Sequence, residues 1–370
     1  MQLISASRDD LLKPLLMVAG IVERRHTMPI LANVLIQKNG SDVSFIATDL
    51  EVQISARSTF GSGDEQAAIT VNARKLIDVL RALPSIGDVR VSLDGSKLLV
   101  QSGKSRFSLQ TVSATEFPTL TELERSDVQI TMPSSKLKHL FNMTYYAMAQ
   151  QDIRYYLNGT LLVFEPGLLH TVGTDAHRLA HCALAIEGVE QAGDVIVPRK
   201  TVMELQRMLT DSEDPVVLQV GIGRIRFSFG EVELISKLVE GKFPDYKRVI
   251  PTDYTCHFEV DRERLLGSLN RAAIMTTNEK MRSVRVQLEN NLMLVSSSNA
   301  EQENAFEEID IDYPFDPMDI GFNVTYLQEF LSSVKAEAIR WSVKPDANAS
   351  IILGVPGEDA FQYIVMPMRI

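Results

Sequence analysis

Cysteine is nearly absent. Cys182 and Cys256 are the only thiols in 370 residues, and they lie far apart with no metal-type spacing. A disulfide framework and a paired-cysteine zinc module are thereby excluded, and both cysteines read as ordinary reduced thiols. Long apolar runs are also missing. The longest near the start, Leu15 to Val22, follows Arg8, Asp9, Asp10 and Lys13, which suits neither a signal peptide nor a membrane span. The expectation is a cytoplasmic chain with no membrane partner. Positive charge is in deficit, with 37 Lys and Arg against 48 Asp and Glu and a net charge of -11. Phosphate binding runs on Lys and Arg, so any nucleic-acid surface must be local. What remains is ordinary for a globular protein, with 45% hydrophobic and 23% charged residues. The length implies two to four domains, each able to bury a core.

Landmarks recur at a long period. Leu11, Leu137 and Leu265 each open a helical pattern. Thr48-Asp49 and Thr174-Asp175 are 126 residues apart, as are Phe117-Pro118 and Phe243-Pro244. In a third copy Ser298-Asn299 replaces Thr-Asp, and no Phe-Pro occurs at the corresponding place. Order and spacing, more than identity, read as three units. Each unit holds two halves, a helix followed by alternating strands. Helical spacing fits Leu12, Leu15, Leu16, Ala19; Leu76, Val79, Leu80, Leu83; Leu137, Leu140, Phe141; Val202, Leu205, Leu209; Leu266, Leu269, Ala273; and Leu327, Phe330, Leu331, Val334. Between helices the period becomes two, as in Val89, Val91, Leu93, an Asp94-Gly95 turn, then Leu98 and Val100. Likewise Leu218, Val220 and Ile222 precede a Gly223 turn, and Ile225, Phe227 and Phe229 follow it. The fold class is α+β, with antiparallel meanders burying one face against helices. The expected boundaries give domains at 1–126, 127–253 and 254–370.

Charge is unevenly spread. Windows 8–25, 73–82, 135–154, 198–210, 261–282 and 323–340 together carry +9, leaving -20 for the rest. A basic helical face on an acidic protein is a footprint for a polyanion. Aromatic residues are scarce in these windows, whereas single-strand binders need stacking rings, so contact with a duplex backbone is expected. Arg74, Arg199 and Lys200 recur at helix starts, where free N–H groups already favour phosphate.

Catalytic constellations are weak. Ser102-Gly103-Lys104-Ser105 ends like a phosphate loop, but Leu98 stands where its first glycine should be, and the surroundings read as a hairpin. His177 and His181 sit four apart near His170, yet the stretch follows a strand and only Asp175 offers a nearby carboxylate. No Gly-x-Ser-x-Gly motif completes a triad with Asp175 and His177. No enzyme activity, no cofactor and no metal site are expected.

Several ordered motifs resemble the bacterial DNA sliding clamp family, the beta subunits of DNA polymerase III, over essentially the whole length. They are LLKPL (11–15), MPILANVLI (28–36), TDLE (48–51), SRFSL (105–109), QDIRYYLNG (151–159), TDAHRLA (174–180), VPRK (197–200), SKLVEGKFPDYKRVIP (236–251), AAIMTTNEK (272–280), IGFNVTYL (320–327) and YIVMPMRI (363–370). The resemblance implies three similar clamp domains, each of two helix-plus-sheet repeats, forming half of a closed ring with helices inside and sheets outside. It implies a homodimer that slides on duplex DNA without sequence specificity. The partners would be the replicative polymerase alpha subunit, the clamp-loader complex, and other polymerases and repair proteins carrying clamp-binding peptides.

The same resemblance assigns sites. Arg154, Tyr156, Leu157, Thr174, His177, Arg178, Leu179, Pro244, Arg248, Val249, Ile364, Met366, Pro367, Met368 and Arg369 would form a peptide groove, apolar in its floor and polar at its rim, with methionines that re-pack around different partners. Phe107 and Leu109 would meet Ile274 and Met275 of a second copy, flanked by Lys75, Glu301 and Glu303. Arg25 and Gln151 would touch DNA beside Arg74, Arg199 and Lys200. The alternative from another class is a DNA-acting metal-dependent enzyme, which a carboxylate cluster would favour. A third is a sequence-specific repeat protein, which a recognition helix would favour; neither signal is visible.

Overall fold

A computed structural model describes residues 1–22, 28–121, 123, 128–189, 192–277, 282–346 and 348–369. The chain opens with β1 (Gln2–Ser7), α1 (Arg8–Val18), β2 (Asn33–Asn39), β3 (Asp42–Thr48), β4 (Val52–Ser58) and β5 (Gln66–Asn72). Then come α2 (Ala73–Ala82), β6 (Asp88–Asp94), β7 (Lys97–Ser102) and β8 (Ser105–Ser113). The order repeats as β9 (Val128–Pro133), α3 (Ser134–Asn142), β10 (Gly159–Glu165), β11 (Leu168–Thr174), β12 (Arg178–Ala185) and β13 (Gly193–Pro198). It continues with α4 (Arg199–Met208), β14 (Pro215–Gly221), β15 (Arg224–Phe229) and β16 (Val232–Lys237). A third pass gives β17 (Cys256–Asp261), α5 (Arg262–Ala272), β18 (Ser283–Glu289), β19 (Leu292–Ser298), β20 (Asn304–Asp310) and β21 (Met318–Asn323). It closes with α6 (Val324–Ser333), β22 (Ala338–Val343), β23 (Ile351–Gly354) and β24 (Phe361–Val365). Among the described residues strand, helix, four strands, helix, three strands thus occurs three times; the spacing predicts the helix-then-strands halves but not the strand that opens each repeat.

Two compact units form, and their division does not follow the repeats. The first comprises Met1–Ser135 and Arg207–Leu238. Its strands make one sheet in the order β1-β6-β7-β8-β5-β2-β3-β4-β16-β15-β14-β9, in which β4 pairs antiparallel with β16. The second comprises Lys136–Gln206 and Val239–Ile370. It holds a sheet β13-β10-β11-β12-β24-β23-β22-β17 and a smaller one, β20-β19-β18-β21. Here β12 pairs with β24. In both units the fourth strand of one repeat joins the last strand of the next.

Among the described residues the six expected helices lie where the spacing places them, with differences in register and length. In α1 the buried face is Leu11, Pro14, Leu15 and Val18, while Leu16 is exposed. The helix takes the face that puts Leu11 on the core and leaves Leu16 outside. In α5 Leu265, Ser268, Leu269 and Ala272 are buried; of the expected stripe Leu269 and Ala273 are buried and only Leu266 is half-buried, its place taken by Leu265. In α6 Leu327, Phe330, Leu331 and Val334 are buried as expected. Ile222 is a correction: β14 ends at Gly221 and Ile222 is 91% exposed in the turn, because alternation carried through a turn overshoots the strand by one residue. Gly103, at φ 55, lies in the hairpin turn joining β7 and β8, where Ser102 pairs with Ser105, so the Ser-Gly-Lys-Ser stretch is a turn.

The recurring Thr-Asp pair acquires a physical reason. Thr48 donates its hydroxyl to the Val52 carbonyl, and the Asp49 carboxylate accepts from the Glu51 and Val52 amides. Thr174 donates to the Arg178 carbonyl at 2.6 Å, and Asp175 accepts from the His177 and Arg178 amides at 2.9 and 3.0 Å. In the third repeat Asn299 accepts from the Glu301 and Glu303 amides. These side chains satisfy amides that the turn leaves unpaired. Each turn also holds one non-glycine residue at positive φ, Leu50, Ala176 and Gln302.

Candidate functional site

The second of these stapled turns borders a cavity in the second unit. Arg154, Tyr156, Leu157, Thr174, Ala176, His177, Arg178, Leu179, Phe243, Pro244, Tyr246, Val249, Ile364 and Met366 enclose about 180 Å³. Its floor is the surface of a core formed by Leu161, Val172, Leu179, Ile196, Phe243, Tyr246 and Ile364, with Tyr156 and Ile250 packed against it. Strand pairing makes that floor continuous: Leu179 of β12 stands opposite Ile364 of β24. Leu179 is therefore both core and pocket floor. Met366 is 41% exposed and sits at the mouth, its amide donating to the His177 carbonyl at 3.0 Å.

The polar members divide into structural and accessible groups. Arg178 is buried. Its Nε donates to Asp175 at 3.0 Å and its Nη1 to Glu329 at 2.5 Å, and its guanidinium lies 4.2 Å from the centre of the Tyr326 ring. Such a fully committed arginine holds the turn in place and has little capacity left for a ligand. Arg154 makes two parallel bonds to Asp152, at 3.0 and 2.9 Å. That bonding to Arg154 lowers the Asp152 carboxyl to about 2. His177 is exposed at the rim.

Eleven of the fifteen residues expected in the groove line this cavity; Arg248, Pro367, Met368 and Arg369 do not. The Arg248 side chain is 86% exposed and pairs with Asp245 at 2.9 Å. Met368 is half-buried, and its amide donates to the Gly321 carbonyl at 2.8 Å. Ala176, Phe243 and Tyr246 also line the cavity; they fall within the family-like stretches 174–180 and 236–251 but are not among the fifteen residues expected individually. Phe243 carries a signal as half of the recurring Phe-Pro landmark; Tyr246, three residues on, carries only that of the 236–251 motif.

The other expected sites lie on different surfaces. Phe107 is 36% exposed on β8 and Leu109 half-buried. Ile274 is 64% exposed just beyond α5 and Met275 half-buried. Phe306, 67% exposed on β20, was not anticipated. Lys75 is exposed near the start of α2, and Glu301 and Glu303 are exposed in the Asn299 turn. Arg74 is exposed on α2 and Gln151 is exposed with φ 55, beside Ile153 at 95% exposure. Arg199 is half-buried and donates to the Tyr145 and Met148 carbonyls at 3.2 and 3.4 Å; Lys200, beside it, is also half-buried. Arg25 lies outside the described residues. The six helices themselves sum to +7, so the basic character survives their shortening.

His170 and His181 form a stacked pair, Nδ1 to Nε2 at 3.1 Å, with Tyr246 stacked on His181. Burial and then His170 lower the His181 imidazole to about 4. His177 is not part of this pair.

Comparison with known proteins agrees with this geometry. The chain matches family models for the DNA polymerase III beta subunit in order: N-terminal domain at 1–121, central domain at 131–245 and C-terminal domain at 247–369. It is 43% identical to the beta sliding clamp of Pseudomonas aeruginosa over 98% of both chains. It is 42% identical to that of Escherichia coli over 99% of both. The crystal structure of the DNA polymerase III subunit beta from Pseudomonas aeruginosa superposes with a TM-score of 0.93 at 42% identity over the whole of both chains. A sliding clamp from the same organism bound to griselimycin gives 0.94, also at 42% identity and over the whole of both chains. With three consecutive domain matches and end-to-end similarity above 40%, the chain belongs to the DNA polymerase III beta subunit family, the beta sliding clamps, and is a processivity clamp.

Proposed function

We propose that two copies of this chain close head to tail into a ring around duplex DNA, and that the cavity beside Leu179 and Met366 tethers polymerases by short peptides. The observation that carries the ring is the pattern of strand pairing. Within one chain β4 pairs with β16 and β12 with β24, each the fourth strand of a repeat with the last strand of the next. The rule leaves β20, the fourth strand of the third repeat, at a sheet edge. It also leaves β8, the last strand of the first, paired with β5 only through Thr111–Ser113. A second copy completes the series by joining β20 to β8, which removes two open edges that would otherwise invite aggregation. Phe107, Ile274 and Phe306 supply exposed apolar surface for that seam.

The role is tethering, without catalysis or cofactor, by a cytoplasmic protein. Domains run 1–126, 127–253 and 254–370. Arg74, Gln151, Arg199 and Lys200 face the duplex, with Arg199 acting largely through its helix start since its guanidinium is anchored internally. Lys75, Glu301 and Glu303 flank the seam. The replicative alpha subunit, the clamp loader and other polymerases and repair proteins share the pocket, whose rim extends to Arg248 and the Pro367-Met368-Arg369 tail. Weak, salt-sensitive phosphate contacts suit a sliding ring.

The seam is tested by Phe107→Asp and Ile274→Asp. A carboxylate buried in an apolar contact costs several kcal/mol, and a two-fold ring repeats the loss at both seams. Each variant is expected to sediment as a folded monomer at concentrations where the parent is a dimer. An unchanged dimer for both would place the seam elsewhere.

A further inference from the structure

Away from the pocket, three donor groups converge from three separate elements of the second unit. His139 lies in the last turn of α3, Cys182 in the middle of β12, and Glu358 in the turn between β23 and β24. One imidazole nitrogen, the thiol sulfur and a carboxylate oxygen all lie within 4.8 Å of one another. His139 Nε2 is 2.7 Å from Glu358 Oε1, and Cys182 Sγ is 3.9 Å from His139 Nε2. We propose that His139, Cys182 and Glu358 form a binding site for a zinc-class divalent cation, with water in the fourth position.

The distances fit a tetrahedral ion with small movements. Zinc bonds of about 2.3 Å to sulfur and about 2.0–2.2 Å to nitrogen and oxygen place tetrahedral neighbours roughly 3.4–3.6 Å apart. The imidazole and carboxylate must separate by roughly 0.7 Å, and the sulfur must approach the imidazole nitrogen by roughly 0.3 Å and the carboxylate oxygen by at most about 1.2 Å, shifts that side-chain rotation supplies. Thiolate, imidazole and carboxylate together select zinc over the hard cations magnesium and calcium. The set therefore differs from the carboxylate cluster that would favour a DNA-acting metal-dependent enzyme.

The backbone around the donors is already fixed. Thr171 on β11 donates its hydroxyl to the Leu140 carbonyl at 3.1 Å, next to His139, and contacts the Cys182 carbonyl at 3.4 Å. It thereby ties the helix to the strand. The Ala183 amide donates to the Ala360 carbonyl at 3.0 Å, holding the residue after Cys182 to the turn that carries Glu358. That turn is closed by the Glu358 amide on the Val355 carbonyl and the Phe361 amide on the Glu358 carbonyl, at 3.0 and 3.1 Å. Access exists: the His139 and Glu358 side chains are 38% and 30% exposed, and Glu358 also lines an open cleft with His257, Arg340 and Asp359. Three protein donors and an open position make an exchangeable site, one that pins α3 and β12 to the β23–β24 turn when occupied. None of the three residues lines the peptide cavity.

The untagged full chain, stripped with a chelator and dialysed against micromolar zinc, should retain about one zinc per chain, and its melting temperature should rise with zinc. Cobalt in place of zinc should give a thiolate-to-metal charge-transfer band. Cys182→Ser should abolish that band, and His139→Gln and Glu358→Gln should each weaken zinc binding roughly tenfold or more, while Cys256→Ser leaves both unchanged. Glu358→Gln, in a half-exposed turn, keeps the test decisive if Cys182→Ser folds poorly. Zinc retained equally by all variants, or no zinc retained by the parent chain, would overturn the proposal.

Discussion

Met366 and Leu179 line the same cavity under different conditions, 41% and 3% exposed. Met366→Ala removes contact area from a ligand without opening a core void, so affinity for a polymerase-derived clamp-binding peptide should fall by roughly tenfold to a hundredfold, about 1–3 kcal/mol. Its melting temperature should barely change. Leu179→Ala empties a packed position and should cost about 2–5 kcal/mol of stability. Arg248→Ala should change peptide affinity by less than about fivefold, because an exposed charged contact contributes about 0–1 kcal/mol. Fluorescence polarisation and thermal melting on the three variants check this; a Met366→Ala chain with unchanged peptide affinity would remove the residue from the site. At this scale the sequence distinguishes polar from apolar but not committed from available. Arg178 and His177 are neighbours in TDAHRLA, yet one is locked between Asp175 and Glu329 and the other is exposed. Glu329 comes from α6, 151 positions away, and no local pattern announces it.

The Thr-Asp turns show how an element can be legible as a repeat before its reason is known. A threonine hydroxyl and an aspartate carboxylate satisfy the turn's amides, and that geometry preserves the pair at the same interval. The two copies carry different loads. Asp49→Ala should cost about 1 kcal/mol, the worth of an ordinary turn-capping bond. Asp175→Ala also deprives buried Arg178 of a partner and should cost about 3–5 kcal/mol. It should weaken peptide binding too, because the turn carries His177 and leads into Leu179. Denaturant unfolding of the two variants makes the comparison; equal losses would mean that Arg178 draws no support from Asp175. Helix positions were legible because their apolar spacing is strong. Faces and ends were less so: α1 exposes Leu16 and buries Leu11, a choice made by packing against β3 and β4.

For the whole molecule, the three-fold recurrence of one strand order was legible in the spacing of Leu11, Leu137 and Leu265. The joining of β4 to β16 and β12 to β24 was not, since strands far apart in sequence choose partners by edge geometry. That joining explains why compact units straddle the repeats, and it leaves β8 and β20 open to a second copy. Encirclement is the central claim, and topology tests it more directly than affinity does. Loaded by a clamp loader onto a closed circular duplex, the protein should stay with the circle through gel filtration and be lost when one restriction cut makes the circle linear. Retention on the cut, free-ended duplex, or salt-resistant binding to one particular short sequence, would contradict a ring that slides.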